Sequence, residues 1–374
     1  MLLQAYGGDT YGGKWVPSLF LSVMLSLHLG LAPCRLQAEN SADMSTRHVV
    51  LHNGVHMPLV GFGTWTVTDD LIRDCLPVAF EAGYRMIDTA PYYRNDVAIG
   101  EVIQSWISSG KLKRSDLFVI TKLQIFAHRK ADVKKNLQDS LKRLQLDFVD
   151  LFLIHSPMPA KQMVGPDGTP TIFTSDKKII PDDVDYLETW NALEDLLENG
   201  LTRSIGVSNF NIQQIQRIIN NCSVKPHNVQ VECHPYCPQF ELHDFCRQNS
   251  ISFTAFGSLG SPGRRFHDLA QIGANFDEEP VPLEDSVVKS IAAENGKPPA
   301  SILLKWLLQR NIAVIPKSTN KERIRSNFQL FDFCLNDKDM KLLNEIKTRQ
   351  RFFKFPWAVD HPNYPFEKAP NKPK

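Results

Sequence analysis

Short apolar runs alternate with amphipathic segments along most of this sequence. The segments between the runs repeat apolar residues every three or four positions, as where Val133, Leu137 and Leu141 share one helical face. Strands alternating with helices in this way indicate a parallel sheet, and eight of them predict a closed (β/α)8 TIM barrel. A doubly wound open sheet is the competing α/β architecture. The eight predicted strands are Arg85–Asp88, Phe118–Lys122, Leu151–His155, Ser204–Ser208, Val229–Glu232, Phe253–Phe256, Ala313–Pro316 and Gln329–Phe331.

The segment that precedes these runs predicts a β-hairpin. Residues 48–51 and 57–60 are rich in apolar side chains and flank Asn53-Gly54, a dipeptide typical of a hairpin turn. We place this hairpin at the base of the barrel. The Gly61-Phe62-Gly63 that follows lacks the third glycine of a dinucleotide-binding fingerprint, so it is not interpreted as one.

Polar side chains stand at the carboxyl ends of several predicted strands. Asp88, Lys122 and His155 end three of the runs, and Ser208 with Asn209 ends another. A barrel gathers these strand ends at one mouth, where TIM-barrel active sites lie. Taken singly, such an aspartate is often a cap residue, such a lysine a solvated charge, and such a histidine a hydrogen-bonded core residue. Their common placement at strand ends favours a shared functional site.

Two tyrosines in the loop after Asp88 are candidate acids, Tyr92 and Tyr93. A phenol has an ordinary pKa of about 10, so we expect a nearby Lys122 ammonium to lower the pKa of the tyrosine, with Asp88 holding the lysine charged. Tyrosine, lysine, aspartate and His155 without a nucleophile suit proton transfer to a carbonyl oxygen, with hydride from an organic cofactor. Spacing alone does not separate Tyr93 from Tyr92.

Composition narrows the range of partners. The sequence holds 42 Lys and Arg against 41 Asp and Glu, so it has no large excess of positive charge that would indicate binding to nucleic acid. The seven cysteines have no framework spacing, so we expect reduced thiols and a cytoplasmic protein. Cys233, His234 and Cys237 are soft metal ligands, but no second matching pair follows them, so no metal is predicted.

Residues 1–43 differ from the rest of the sequence. Residues 18–33 are nearly continuous apolar sequence that resembles the hydrophobic part of a signal peptide. The run is shorter than the about 20 residues of a membrane span, and the charges of Asp9 and Lys14 before it cancel. One alternative is a signal peptide that directs the chain to secretion or the endoplasmic reticulum. The other is a dispensable extension, residues 1–43, before a barrel domain of residues 44–374 that starts at Met44.

Several motifs occur together between residues 83 and 318. They are Gly83-Tyr84-Arg85, Ile87-Asp88-Thr89-Ala90, Tyr93 with Asn95, Lys122, Leu153-Ile154-His155, Gly206-Val207-Ser208-Asn209-Phe210, Gln230-Val231-Glu232-Cys233-His234-Pro235-Tyr236 and Ile315-Pro316-Lys317-Ser318. In this order and spacing the sequence from about Met44 onward resembles the aldo-keto reductase family, including aldose and aldehyde reductases. The resemblance implies a (β/α)8 barrel with NADPH across its mouth. It also implies a catalytic tetrad of Asp88, Tyr93, Lys122 and His155, and so selects Tyr93.

The resemblance implies a cofactor site as well. Lys317 and Arg323 match the family's site for the adenosine 2′-phosphate, which favours NADPH over NADH. Phe256 stands where a tyrosine usually stacks on nicotinamide and keeps the aromatic face, whereas Ser326 replaces a glutamate that contacts adenine. The residues implied for NADPH are Thr64, Ser208, Asn209, Gln230, Phe256, Gly257, Ser258, Leu259, Ser261, Lys317, Ser318, Thr319, Arg323 and Asn327.

The substrate pocket departs from the family pattern. Trp65 matches the pocket rim, whereas Gln124, Ser156 and Phe266 stand where well-studied members have tryptophans, so we expect a less aromatic pocket. The resemblance also implies that the loop 158–185 and the aromatic tail at residues 352–357 lie over the mouth and shape specificity.

These features predict a monomeric, cytoplasmic, NADPH-dependent carbonyl reductase that acts on a small-molecule aldehyde or ketone, without nucleic acid or membrane partners. One alternative is an NADPH-binding protein with little turnover, resembling lens crystallins or ion-channel subunits. The complete tetrad favours the enzyme over that alternative. A second alternative, a barrel metal hydrolase, lacks a carboxylate and histidine ligand cluster at the strand ends.

Overall fold

Eight parallel strands form the central sheet of this protein in a computed structural model that describes residues 48–165, 168–266 and 279–367. Each strand pairs in parallel with the next one along the chain. Numbered β1 to β8, the strands are Gly61–Gly63, Met86–Asp88, Phe118–Leu123, Leu151–Ile154, Ile205–Ser208, Asn228–Glu232, Ser252–Phe256 and Ala313–Val314.

The first and last strands close the sheet into a barrel. The Val314 N–H donates to the Leu59 carbonyl at 2.8 Å, and the Gly63 N–H donates to the Pro316 carbonyl at 3.2 Å. Glycine is required at this seam, because a Cβ on Gly63 would lie 2.6 Å from the Ile315 carbonyl oxygen. The closed ring confirms the predicted TIM barrel and excludes the open sheet.

One of the eight predicted strands is wrong. Gln329–Phe331 is irregular, and the strand that completes the barrel is Gly61–Gly63. Leu330 is fully buried, but its carbonyl accepts a 2.9 Å hydrogen bond from Lys305 Nζ. A buried lysine therefore satisfies the backbone of this apolar run where a strand neighbour was expected, and a short segment rich in glycine forms the strand instead.

The N-terminal hairpin covers the base of the barrel, as predicted. His48–Val50 pairs antiparallel with His56–Pro58 across the turn that contains Asn53 and Gly54. Met57, fully buried, packs with residues from the first halves of the barrel strands. This base cluster consists of Leu51, Met57, Met86, Phe118, Ile120, Leu151, Leu153, Ala313 and Ile315.

Helices surround the barrel, and each buries one face against it. Val133, Leu137 and Leu141 are buried along the third helix at the predicted spacing. Asp185 begins the fourth helix, where its side chain accepts a hydrogen bond from the Leu187 N–H at 3.0 Å. In the described residues the α-helices, α1 to α10, are Asp69–Ala82, Asp96–Ser108, Lys130–Leu144, Tyr186–Glu198, Ile212–Ile219, Phe240–Gln248, Ser286–Asn295, Pro299–Gln309, Lys321–Phe328 and Asp337–Asn344.

The predicted N-terminal extension, residues 1–43, and its boundary at Met44 lie outside the described residues. In the part of the chain that the structure describes, no helix is long and apolar enough to cross a bilayer. Cys334 is disulfide-bonded, which corrects the expectation that every cysteine is reduced. Among the described residues the free thiols are Cys75, Cys222, Cys233, Cys237 and Cys246.

Candidate active site

The carboxyl ends of β2 and β3 bring a buried ion pair to the centre of the barrel mouth. Asp88 ends β2 with 2% of its surface exposed, and Lys122 on β3 is fully buried. Lys122 Nζ lies 2.7 Å from Asp88 Oδ1 and donates to the Thr89 carbonyl at 3.1 Å. A buried charge is costly unless it is paired, so each of these two charges requires the other.

The Tyr93 hydroxyl completes this cluster. Tyr93 lies in the 3-10 helix Pro91–Tyr93 that follows β2, and Lys122 Nζ donates to its hydroxyl oxygen at 3.2 Å. Its ring lies edge-on to the ring of His155, with 6.0 Å between the ring centroids. The neighbouring Tyr92 side chain is 36% exposed. The structure therefore brings the four predicted tetrad residues together, and Tyr93 is the tyrosine that reaches Lys122.

Hydrogen bonds from other elements hold Asp88 in place. Gln230 on β6 donates from Nε2 to Asp88 Oδ2 at 2.7 Å, and Thr64 Oγ1 donates to the Asp88 carbonyl at 2.9 Å. Asn95 donates from Nδ2 to the Thr64 carbonyl at 2.9 Å. With Lys122 on one carboxylate oxygen and Gln230 on the other, the direction of the carboxylate is fixed.

Burial controls the pKa values of the tetrad. Burial and the Asp88 charge raise the pKa of Tyr93 well above its ordinary value. The expectation that Lys122 lowers the pKa of Tyr93 is therefore wrong, because desolvation and the carboxylate outweigh the ammonium. Burial lowers the pKa of Lys122, an effect that Asp88 opposes. Burial, with a smaller contribution from Lys122, lowers the pKa of His155 to about 3, so at neutral pH the imidazole is uncharged.

The end of β5 adds amide and hydroxyl groups beside the tetrad. Asn209 follows Ser208 in the left-handed region, with φ of 63°, which asparagine tolerates better than most residues. Its Nδ2 donates to the His155 carbonyl at 2.8 Å and to Ser208 Oγ at 3.2 Å. Asn209 therefore ties β5 to the chain that carries His155.

A cavity of about 1230 Å³ opens over the tetrad, lined by Asp88, Tyr93 and His155. Its size exceeds that of a typical site for a drug-sized ligand. Every residue predicted for the cofactor also lines it: Thr64, Ser208, Asn209, Gln230, Phe256, Gly257, Ser258, Leu259, Ser261, Lys317, Ser318, Thr319, Arg323 and Asn327. The structure therefore gathers residues that lie in or just after seven of the eight strands around one space.

One part of this cavity is cationic. Burial, followed by the charge of Arg323, lowers the pKa of Lys317. Within the described residues no carboxylate pairs with either cation. Gly263 lies beside them in the glycine-rich loop, residues 257–264 after β7, since a Cβ added there would be 3.9 Å from Lys317 Nζ. Two cations without a carboxylate partner among the described residues, beside a glycine backbone, suit a phosphate group.

Three of the residues predicted for the substrate wall, Trp65, Gln124 and Ser156, line the same cavity. Phe126 and Phe173 also line it, although sequence reasoning did not place them there. Both lie in loops whose course the periodicity of the strands and helices does not define. The cavity therefore carries aromatic side chains besides Trp65, and a pocket less aromatic than that of well-studied family members stays a prediction.

The C-terminal tail lies over the mouth, as predicted, and residues 352–357 line the cavity. The Phe353 ring centroid is 5.5 Å from that of Trp65 and 5.2 Å from that of Phe256. The Ile179 N–H donates to the Trp357 carbonyl at 3.1 Å. This hydrogen bond joins the tail to the loop 158–185, so both predicted covering segments meet over the site.

An ion pair at the rim was not anticipated from the sequence. Arg264, within the glycine-rich loop, pairs with Glu279, and both line the cavity. The Arg264 guanidinium also lies 4.2 Å from the centroid of the Phe352 ring. The sequence feature that could have indicated this ion pair is an arginine inside a glycine-rich loop. The side chain of Phe266, predicted for the substrate pocket, lies outside the described residues.

Cys233, His234 and Cys237 lie close in sequence without forming a metal centre. His234 Nε2 lies 2.9 Å from Glu232 Oε1. Burial raises the pKa of Cys233 to about 11 and that of Cys237 to about 12, so both thiols stay protonated at neutral pH. Among the described residues no group of three or more His, Cys, Asp or Glu side chains could hold a metal ion.

The fold and the site are those of a barrel oxidoreductase: a buried lysine and aspartate meet a tyrosine hydroxyl under a cavity with a cationic end. Comparisons with known proteins identify the family. Residues 59–348 match the model of the Aldo/keto reductase family. Aldo-keto reductase family 1 member C4 of Macaca fascicularis is 40% identical over 329 residues, which cover 87% of this chain and 98% of that protein.

Two further proteins match this chain over a similar length. Aldo-keto reductase family 1 member A1 of Bos taurus is 38% identical over 333 residues, covering 86% of this chain and 99% of its own. The structure of the aldose reductase from Schistosoma japonicum matches with a TM-score of 0.77 and 36% identity, covering 86% of this chain and 99% of its own. This chain belongs to the aldo/keto reductase family and is an NADP-dependent oxidoreductase that acts on aldehydes or ketones.

Proposed function

We propose that this protein uses NADPH to reduce a small-molecule aldehyde or ketone, with Tyr93 as the general acid. The observation that carries the proposal is the contact of 3.2 Å between Lys122 Nζ and the Tyr93 hydroxyl at the floor of the cavity. NADPH, when bound, supplies the hydride that reduces the carbonyl carbon. The residues of the chain bind the two reactants, exclude water and deliver the proton.

Tyr93 enters the reaction already protonated, because burial and Asp88 raise the pKa of its hydroxyl. A carbonyl oxygen that gains negative charge takes this proton, and the phenolate that remains lies against the Lys122 ammonium. The ammonium therefore stabilises charge where it develops during the transfer. Asp88 opposes the effect of burial on the pKa of Lys122 and favours the charged form of its side chain. The tetrad thus favours proton release because it stabilises the phenolate that remains after the transfer.

His155 acts as a neutral hydrogen-bond donor to the carbonyl oxygen. Its low pKa excludes the imidazolium form at neutral pH, so it orients the substrate without competing with Tyr93 as the acid. Asn209 fixes the position of His155 through the backbone carbonyl. Trp65, beside Phe353, then bounds the space left for the rest of the substrate.

The cavity fits NADPH on three grounds. Ser208, Asn209 and Gln230 offer the donors and acceptors that a carboxamide requires, and Phe256 offers an aromatic face for the nicotinamide ring. The loop proposed for the pyrophosphate contains Gly257, Ser258, Leu259 and Ser261. Thr64 lies beside the tetrad, and Ser318, Thr319 and Asn327, which line the same cavity, would hold the adenosine. The cationic end formed by Lys317 and Arg323 lacks a carboxylate partner within the described residues, which favours the 2′-phosphate of NADPH over the plain ribose of NADH.

Two proposals about the whole chain follow. The catalytic domain begins near Met44, and residues 1–43 are dispensable for turnover. The enzyme works as a monomer in the cytoplasm, where NADPH is available to it. Removal of residues 1–43 with unchanged turnover, and a single species of monomer mass in solution, are the results that these proposals require.

The decisive experiment follows NADPH absorbance with the full chain and a panel of aldehydes and ketones. We expect turnover by the unmodified protein, and a loss of about 10²- to 10⁴-fold in Tyr93→Phe with NADPH affinity retained. Tyr92→Phe is the matched control, because it removes the same atom from the neighbouring residue, and it should keep most of the turnover. Equal turnover by Tyr93→Phe would refute the assignment. Tight NADPH binding by the unmodified protein with no turnover of any carbonyl would instead support a binding protein.

A further inference from the structure

Glu232, the last residue of β6, carries a buried carboxylate that the proposed mechanism does not use. Only 1% of Glu232 is exposed. Its Oε1 accepts a hydrogen bond from the Phe352 N–H at 2.7 Å, and its Oε2 accepts one from the Phe353 N–H at 3.0 Å. One carboxylate therefore holds two successive backbone groups of the tail, at a distance of 120 residues in sequence.

The charge of Glu232 is matched at the same place. His234 Nε2 lies 2.9 Å from Oε1, and Arg351 Nη1 lies 3.8 Å from Oε2. These groups outweigh the cost of burial and lower the pKa of Glu232, so the carboxylate is ionised at neutral pH. Hydrogen bonds to an ionised acceptor are stronger than those between neutral groups, which makes this contact a firm anchor for the tail.

Two bonds to neighbouring residues fix the direction of the backbone as well as its position. The Phe352 ring lies against His234, with 4.8 Å between ring centroids, and under Arg264 of the glycine-rich loop. The Phe353 ring lies in the mouth, between Trp65 and Phe256. Glu232 therefore determines on which side of the tail each ring lies.

The mouth is shaped for the Phe353 ring. A Cβ on Gly257 would lie 3.3 Å from this ring and 3.7 Å from Glu232 Cγ, so the glycine allows the tail to approach the loop closely. Phe353 thereby contacts Phe256, which is assigned to nicotinamide stacking, and Trp65, which is assigned to the substrate. A shift of the tail backbone enlarges the space between these two surfaces.

We propose that Glu232 is a positioning residue that holds the Phe353 ring in the mouth and thereby limits the size of the carbonyl substrate that reaches Tyr93. The proposal rests on the carbonyl reductase function proposed above. Glu232 itself touches no reacting atom. It acts through the tail, and loss of its charge releases the ring and admits bulkier aldehydes and ketones.

The first test compares kcat/KM for propanal with that for a bulky aromatic ketone. Glu232→Gln, nearly the same in shape but uncharged, should raise the ratio of bulky to small substrate on the order of 10-fold, mainly through KM for the bulky substrate. Glu198→Gln, at the exposed end of α4, removes the same charge elsewhere and should leave the ratio unchanged. An unchanged ratio in folded Glu232→Gln overturns the proposal.

A double-mutant cycle separates positioning from a general structural role. Phe353→Ala should raise the ratio by itself, and it leaves the buried carboxylate intact. If Glu232 acts through this ring, Glu232→Gln adds nothing to the ratio in the Phe353→Ala background. Effects that multiply would show that Glu232 acts by another route. Phe353→Ala alone keeps the size limit testable if Glu232→Gln does not fold, and no change in its ratio overturns the proposal.

A measurement without turnover tests the anchor. Arg351 and Lys354 flank the two anchored residues and are trypsin sites. Trypsin should cleave Glu232→Gln after Arg351 several times faster than the unmodified chain or Glu198→Gln, because local opening exposes the tail; mass spectrometry identifies the bond. Equal cleavage rates refute the anchor. If cleavage accelerates but no carbonyl is ever turned over, the proposed function fails while the anchor stands.

Discussion

The two ends of the barrel are built from the same strands but from opposite kinds of side chain. On β2, Met86 faces the base cluster and Asp88 faces the mouth. On β3, Phe118 packs in the base cluster and Lys122 forms the buried ion pair. Inward-facing residues alternate along a strand, so β2 and β3 each contribute to both ends. Stability and chemistry are therefore divided along the axis of the barrel.

This division has an energetic reason. Apolar burial stabilises a fold by about 25 cal/mol per Å², and the base cluster under Met57 provides it. A buried ion pair contributes little net stability, because desolvation offsets the attraction. We therefore expect changes at the base to lower the free energy of unfolding, and changes at the mouth to lower turnover.

The largest effect is expected when both charges of the buried ion pair in the mouth are removed together. Asp88→Asn combined with Lys122→Met should lower kcat by about 10³-fold or more. The free energy of unfolding should change by no more than about 1 kcal/mol, since the desolvation cost disappears with the attraction. Turnover assays and urea unfolding measure the two quantities. Lys122→Met alone should cost about 3 to 5 kcal/mol because it leaves Asp88 buried and unpaired, and an equal loss in the double variant would break the division.

The converse test is Met57→Ala at the base. Loss of a fully buried methionine should lower the free energy of unfolding by about 2 to 5 kcal/mol, measured by denaturant titration. The kcat of the folded fraction should stay unchanged. Val50→Ala in the same hairpin is the control, since its side chain is 57% exposed and its removal should cost little. A fall in kcat with stability intact would show that the base participates in chemistry.

Within the mouth, the cationic end should affect affinity without affecting the acid. Lys317→Met should weaken NADPH binding about 10- to 100-fold, the value of one charge-assisted hydrogen bond, and leave NADH binding nearly unchanged. Quenching of tryptophan fluorescence reports both constants. Lys341→Met, which removes an exposed lysine on α10, should affect neither. Equal weakening of NADPH and NADH would contradict a 2′-phosphate site.

The smallest expected effect is that of pH near neutrality. The pKa of His155 is about 3 and that of Tyr93 lies above its ordinary value of 10.0, so neither group changes charge between about pH 5 and pH 8. We therefore expect neither group to make kcat for reduction depend on pH over that interval. Reduction should fall as the pH rises through the pKa of Lys122, which burial lowers, and then through that of Tyr93, because each group loses its proton there. An inflection near pH 6.5 would show that His155 titrates during catalysis.

Periodicity in the sequence predicted most of the barrel, because parallel strands buried on both faces form short apolar runs. It missed β1, Gly61–Gly63, since two glycines give a segment little strand character. It assigned Gln329–Phe331 instead, because that run is equally apolar. Burial alone does not distinguish a strand from a loop whose carbonyl meets the side chain of Lys305.

For the site, the sequence was informative where a side chain stands at the end of a strand. It predicted four side chains that the structure brings together at the mouth, but it predicted the wrong direction for the pKa of Tyr93. The neighbours of Tyr93 can be inferred from spacing, whereas the extent of its desolvation depends on the tail and loops that cover the mouth. The anchor at Glu232 could not be predicted from the sequence for a similar reason. Its partners are backbone N–H groups, which every residue except proline has, so the residue types do not reveal them.

The seam between Gly63 and Pro316 has a consequence for folding during synthesis. These two residues, hydrogen-bonded to each other, lie near opposite ends of the barrel sequence, so the ring cannot close on the ribosome until nearly the whole domain has been synthesised. Until then β1 exposes an unpaired edge, which is prone to association with other chains. A message truncated before codon 316 therefore yields a chain without Lys317 and without a closed barrel, and we expect that chain to be degraded.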